Sequence, residues 1–325
     1  SANTVNLGDG TGKMSTADVI HGTIFGGKNT TDPSKVSNNT LNVNTNAKAG
    51  NIENFSKINF NFSTHTNTGN SLLHLTDTNG TKLDSLSQLY VKNAKVGRGT
   101  LMWNSNGIDV TDSTKVGRTE ETTETIIEKN SNNKAINYRT YQFKGSTTTD
   151  FEGANTWGGR STIGNTTTGN EVTVSDNKPL DYAYGGWTSG AGSIADSSKQ
   201  KNSTLNKVTV SGTASVNGTV YGGFTDVSGG SATGNTVTAT NNLNADIVGG
   251  KAAGEASGNT VTVGSAAVNS ITGGDGATTK DNTVNIDGTT VTNKIVGGTQ
   301  ADGTGNTLNV KGENTAQNIG GFQKL

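Results

Sequence analysis

The sequence predicts an all-β fold, a right-handed parallel β-helix solenoid with coils of about 24 residues. Three observations carry that prediction. Asn235-Thr-Val, Asn259-Thr-Val, Asn282-Thr-Val and Asn306-Thr-Leu begin 24, 23 and 24 residues apart. A Gly-Gly pair sits between them at Gly249, Gly273 and Gly297, again 24 apart. Each phrase is four to six residues of Val, Ile and Thr bounded by Gly, Asn, Asp and Ser, the composition of a short strand between turns. Two interleaved phrases at one period mean one structural unit copied along the chain.

The elements follow in order, and residues 1–325 read as a single β-helix. Residues 1–50 hold regular coils: Asn3-Thr-Val-Asn-Leu, then Ile24-Phe-Gly-Gly, then Asn39-Thr-Leu-Asn-Val. Residues 51–150 read as degenerate coils, with strands expected in the alternating Ile52–Phe62 stretch, over Ser71–Leu75 and over Leu83–Val91. Within them, two β-prone runs flank Asn130-Ser-Asn-Asn, which predicts a β-hairpin over Thr122–Phe143 leaving the coil, with a wide coil as the other reading. Residues 151–325 are regular again. Gly-Gly pairs open at Gly158, Gly185, Gly222, Gly249, Gly273, Gly297 and Gly320, with the longest step between Gly185 and Gly222. Variable steps place insertions at one corner of the coil. Divided by the period, the chain gives about thirteen coils, a rod of ~60 Å at the usual strand spacing.

Stacking dictates which residues lie above one another. Asn235, Asn259, Asn282 and Asn306 form one column, whose amides can hydrogen-bond from coil to coil. Val237, Val261, Val284 and Leu308 form the inward column, followed by Ala239, Val263, Ile286 and Val310, while Thr238, Thr262, Asn285 and Asn309 point outward. One coil alone buries too little to offset the entropy of ordering it, so neighbours must share their ladders. Such a stack needs capped ends. The repeat runs almost to Leu325, so the chain is expected to be part of a longer protein.

Composition agrees. Only 29% of residues are hydrophobic, enough for a thin column of core but low enough to raise disorder, which the periodicity argues against. There are 46 glycines and 2 prolines, as suits many corners and unbroken ladders. A net charge of −1 argues against a nucleic-acid groove. No apolar run is long enough for a transmembrane helix, and no leader-like start is present. With no cysteine, disulfides and thiolate metal sites are excluded.

Val220-Tyr-Gly-Gly, Gly234-Asn-Thr-Val-Thr and Asn51-Ile-Glu-Asn-Phe-Ser-Lys-Ile-Asn-Phe resemble the passenger domains of type V autotransporters, secreted surface β-helices of Gram-negative bacteria. The phrases span most of the chain and are specific for architecture. The resemblance implies an extracellular passenger tethered to the outer membrane by a C-terminal β-barrel absent from this sequence, and an adhesive role.

The chemistry of catalysis is sought and not found. No Gly-x-Ser-x-Gly elbow occurs. His21, His65 and His74 lack zinc-ligand spacing and read as solvated surface groups. The stretch Gly22–Lys28 approaches a phosphate-binding loop, but Asn29 stands where a hydroxyl residue is needed, and the stretch coincides with the repeat. The pattern at Gly273 is not that of a calcium-binding β-roll. Acidic residues are scattered through corners. No catalytic residue, cofactor or metal is expected.

Recognition points instead to aromatics. Phe25, Trp157, Tyr184 and Tyr221 precede Gly-Gly pairs, and Trp187, Phe224 and Phe322 follow them. Facing outward, Trp157, Tyr184, Trp187, Tyr221 and Phe224 would make a ridge suited to sugar rings or an apolar patch on a partner. Facing inward, they would share the slot that later coils fill with Val248, Val296 and Ile319. Ile247, Ile271 and Ile295 compete for that slot. Core packing is the reading favoured. Tyr138, Arg139 and Tyr141 on the expected hairpin form a second candidate surface. The expected function is non-enzymatic attachment to host surface proteins, glycans or neighbouring bacteria. The alternatives are a self-associating aggregation factor and a polysaccharide-active β-helix enzyme.

Overall fold

A computed structural model describes residues 2–8, 19–28, 31, 36–62, 71–190, 201–300 and 303–325. His65 lies outside them, as does much of the insertion between Gly185 and Gly222. The protein is a β-solenoid of about ten turns, 60% strand and 1% helix. The turns are fewer than the period alone gives, because several steps exceed 24 residues and one segment is not coiled. The chain divides into two compact units, residues 1–141 and 142–325.

In the first unit, Thr4–Leu7, Thr40–Val43, Lys57–Asn61 and Leu89–Lys92 stack in parallel as one face. Val19–Phe25, Ala47–Glu53, Leu73–Leu75 and Gly97–Asn104 form a second, and Thr81–Ser85 with Ile108–Asp112 a third. The core between them is built from large side chains, including Leu41, Ile58, Phe60, Leu73, Leu89, Leu101 and Met102, all buried.

The segment around Asn130 does form a hairpin, between Thr123–Lys129 and Ala135–Gln142, but it does not leave the coil. Ala135–Gln142 pairs antiparallel with Gly97–Asn104, and Val116–Thr119 pairs antiparallel with Thr123–Lys129 at the outer edge. This meander closes the end of the parallel stack. Tyr138 packs on the core, its ring edge-on to Phe62 at 4.9 Å, and Tyr141 is buried. The Arg139 guanidinium lies 4.9 Å from the Tyr141 ring centroid. These three residues help to cap a solenoid and do not form a protruding surface. Turn chemistry locates a hairpin, but the free ladder of a distant strand decides where it lies.

The second unit follows the sequence columns closely. Its three faces are parallel stacks in register. The strands Glu171–Val174, Lys207–Val210, Thr236–Ala239, Thr260–Gly264, Thr283–Asp287 and Thr307–Lys311 superimpose Val172, Val208, Val237, Val261, Val284 and Leu308, and all six are buried. At the first corner Asn170, Asn206, Asn235, Asn259, Asn282 and Asn306 are buried. Each side-chain amide donates to the next asparagine's Oδ1 at 2.7–3.1 Å. Each backbone N–H donates to the same oxygen at 3.0–3.2 Å. Ser146 N–H opens the ladder on Asn170, and Gln323 Oε1 closes it by accepting from Asn306 N–H.

The ladder explains why the two phrases travel together. A Cβ on Gly159, Gly186, Gly223, Gly250 or Gly274 would collide with the ladder amide beside it. A Cβ on Gly185, Gly222, Gly249, Gly273 or Gly297 would collide with the carbonyl of the glycine one coil on. Each Gly-Gly pair is the space that its asparagine needs. The same lock recurs at Gly26 and Gly27, which pack against Asn39 and Asn3, so the stretch resembling a phosphate loop is a coil corner.

Candidate functional site

The longest face of the second unit comprises Asn155–Ser161, Pro179–Thr188, Ser215–Thr225, Asp246–Lys251, Ser270–Asp275, Thr290–Gly298 and Thr315–Gly320. Its inward column is Thr156, Ala183, Val220, Ile247, Ile271 and Ile295, all buried. The next residue of each strand faces outward, because successive side chains alternate. Trp157, Tyr184, Tyr221, Val248, Thr272 and Val296 therefore lie outside the core. The isoleucine column fills the inward slot, and the expectation that the rings pack inward is overturned.

An uninterrupted strand would turn the residue three positions later back inward. The Gly-Gly pair prevents this, and the residues flanking it meet on the outside. Tyr184 and Trp187 stack with ring centroids 4.8 Å apart and planes at 22°. Tyr221 and Phe224 lie 5.0 Å apart, and the Arg160 guanidinium sits 4.4 Å from the Trp157 ring. The coils also stack on each other: Tyr184 lies 5.3 Å from Tyr221 with planes at 10°, and Trp157 meets Trp187 edge-on at 6.0 Å. All five residues of the expected ridge are thus brought together.

Two members sit lower than their neighbours. Trp157 is 1% and Tyr184 6% exposed, covered by other rings and not by the core. Trp187, Tyr221 and Phe224 are half-buried, and Tyr182, stacked on Tyr184 at 6.1 Å, is 39% exposed. Phe322 does not join them: Gly320 pairs with Val296 and Ile319 with Ile295, so the last Gly-Gly pair is one residue out of phase and Phe322 packs against the core. Ile319 accordingly belongs to the isoleucine column and not with Val248 and Val296. Phe25 belongs to the first unit, exposed, with the Lys28 ammonium 5.2 Å from its ring.

Charge closes both ends of the row. Arg160 lies over Trp157 and Trp187 and pairs with Glu152 at 2.6 Å. Glu152 comes from Asp150–Glu152, which pairs antiparallel with Asn155–Ser161. At the other end Lys251 takes the register position after Phe224 and pairs with Asp275 at 3.0 Å. Its hydrogen bond to Asp275 raises the Lys251 pKa. Burial pushes the Tyr184 and Tyr221 phenols above the ordinary tyrosine value and raises the Asp226 carboxyl. The phenols are therefore neutral hydrogen-bonding groups at physiological pH. Trp187 Nε1 is buried and, among the described residues, has no hydrogen-bond partner.

Sequence reasoning missed Tyr182, Arg160, Glu152, Lys251 and Asp275. A signal existed for four of them. Tyr182 lies two residues before Tyr184, on the same face, and Arg160, Trp187, Phe224, Lys251 and Asp275 occupy one position of the repeat. Glu152 arrives through an antiparallel turn that no period announces.

Elsewhere, His21 is exposed, and His74 packs edge-on against Trp103 at 4.7 Å, its pKa lowered by burial and then by Lys48. Among the described residues no three of His, Cys, Asp and Glu gather as metal ligands would. A cleft in the first unit is lined by Glu53, Lys82, Asp84 and Gln88 among others. Gln88 is committed to backbone there, accepting from Asp84 and Ser85 and donating to the Phe55 carbonyl. Comparison with protein-family models, curated proteins and solved structures gives no match to this chain.

Proposed function

We propose that this chain is a non-enzymatic bacterial surface adhesin, the passenger portion of an autotransporter-type protein, which attaches to host cells or to neighbouring bacteria. Its support is the outward aromatic row. Large rings cost little conformational entropy to present, and consecutive coils hold them in register on a rigid face. A protein needing only a stable rod has no use for tryptophan and tyrosine outside its core, where valine and threonine serve in other coils. Multivalent display would turn shallow contacts into firm attachment.

The test uses beads coated with the purified chain and offered to epithelial cells and to bacteria. Adherence above that of uncoated beads, reduced by soluble protein, is expected. Equal adherence of coated and uncoated beads to every cell type would sink the reading.

Self-association is a second reading with an observation of its own. Polar ladders also run along the outside: Asn42 donates to Asn6 and Asn59 to Asn42, each at 2.7 Å, and Asn309 donates to Asn285 at 2.8 Å. Such rows are self-complementary in spacing. Sedimentation at rising concentration decides, a constant monomer mass excluding this alternative.

A further inference from the structure

Resting on the adhesin reading, the geometry points to the kind of partner that the aromatic row accepts: a neutral oligosaccharide, its pyranose rings lying on Tyr182, Trp187, Tyr221 and Phe224. Three features select that chemistry over others.

The first is charge. Both cations at the row are already neutralised, Arg160 by Glu152 at 2.6 Å and Lys251 by Asp275 at 3.0 Å. A sialylated, sulfated or phosphorylated ligand would have to displace a carboxylate from a formed pair, and would meet the partly buried Asp226 carboxyl nearby. A ligand without charge disturbs neither pair.

The second is size. Two of the six rings, Trp157 and Tyr184, are almost wholly covered by the others. What remains is a strip a few rings long, far short of the ~800 Å² per partner of a stable protein–protein interface. Such a strip suits a few sugar units, whose apolar C–H faces lie flat on rings while their edges carry hydroxyls.

The third is polar provision. Among the described residues the Trp187 Nε1–H is a buried donor without an acceptor, a costly arrangement that a ligand hydroxyl would relieve once the groups covering it shift to admit it. The phenols of Tyr182, Tyr184 and Tyr221 supply further neutral donors and acceptors along the row. Rings one coil apart stand close to the strand spacing of ~4.8 Å, so adjacent coils act together on one chain of sugars.

The full chain should be applied to an array of immobilised oligosaccharides: neutral hexoses and N-acetylhexosamines, sialylated chains and sulfated chains. Binding to neutral members is expected. Titration of the best neutral ligand should then give at least tenfold weaker affinity for Trp187→Phe, which keeps a ring and removes the donor, and a greater loss for Tyr182→Ala with Phe224→Ala. Thr262→Ala, on another face, serves as the control. Should the alanine variants misfold, protection of wild-type Trp187 from N-bromosuccinimide oxidation by the sugar replaces them. Preference for acidic sugars, binding to none, or neutral binding that survives the substitutions and leaves Trp187 unprotected overturns the inference. Cells that adhere without any sugar binding overturn it too, but leave the adhesin standing. Sugar binding without adherence keeps the subsite and removes the adhesin.

Discussion

The two units solve one problem by different means. Both must keep strands from slipping, since a shift of one residue would turn every inward side chain outward. The second unit does it with a repeated polar lock, an asparagine amide held by its neighbours and seated on a glycine. Its core is mostly Val, Ala and Ile, with three leucines. Among the described residues the first unit has no six-rung ladder. Of the largest fully buried side chains, all but Trp157 lie there, among them Phe60, Leu41, Leu86, Leu89 and Met102. Its buried polar contacts are local: Thr81 Oγ1 donates to Asn51 Oδ1 at 2.8 Å and receives Asn104 Nδ2 at 3.2 Å. Its coil steps are uneven, 36 residues from Thr4 to Thr40 but 17 from Thr40 to Lys57. Where the lock is regular the core can be small and uniform; where it is confined to one corner, shape does the work.

That contrast breaks down most visibly under substitution. Phe60→Ala should cost the first unit about 3–5 kcal/mol, since it opens a large cavity. Asn259→Ala should cost the second unit about 3 kcal/mol, by stranding the buried N–H and Nδ2 donors of Asn235 without their acceptor. Hydrogen exchange read peptide by peptide checks both, with protection falling first in the unit that carries the change. If Asn259→Ala proves as mild as a surface substitution, the ladder does not hold register.

Gly250→Ala comes next, at about 1–3 kcal/mol, because a methyl group there must push the Asn259 amide out of line;. Urea denaturation measures it. Asn42→Ala interrupts a ladder on the outside of the first unit and should shift the same midpoint by no more than about 0.5 kcal/mol. An equal effect of the inner and outer asparagines would remove the distinction between them.

Alkali sharpens the comparison with a sign that can be worked out. The folded-state pKa values of Tyr184 and Tyr221 are raised, so the folded protein holds protons that the unfolded chain releases. Their contribution is complete below the ordinary tyrosine pKa of about 10 and is lost as pH rises beyond it. Tyr138 behaves likewise in the first unit, but alone and through burial only. Tyrosinate absorbance in the second unit should therefore rise together with loss of β-sheet circular dichroism. Ionisation of Tyr184 and Tyr221 while the sheet persists would contradict their burial.

The period in the sequence made the second unit legible almost rung by rung. Val237, Val261, Val284 and Leu308 superimpose as their spacing demands. The site was half legible. Its five ring positions could be named, but not their direction, because the period leaves two adjacent positions competing for the inward slot and the usual burial of large rings favoured the wrong one;. The hairpin was found from its turn residues, while its docking depended on which strand, 30-odd residues upstream, still had a free edge. Phase at the end of the chain was misjudged because two glycines in sequence look alike whichever one seats the ladder.

The amide column runs one way only. From Asn170 to Asn282 every rung gives its backbone N–H and an amide hydrogen to the asparagine that follows and none to the asparagine before it, while the amide also donates back to a backbone carbonyl of the preceding segment. Each turn thus carries one identical plug and one identical socket, whatever its loops contain. A turn can be duplicated, deleted or traded without rewriting those beside it. Steps of 36 and 23 residues already share this column, so the length and decoration of the molecule are free to vary in evolution by whole turns while its axis stays the same.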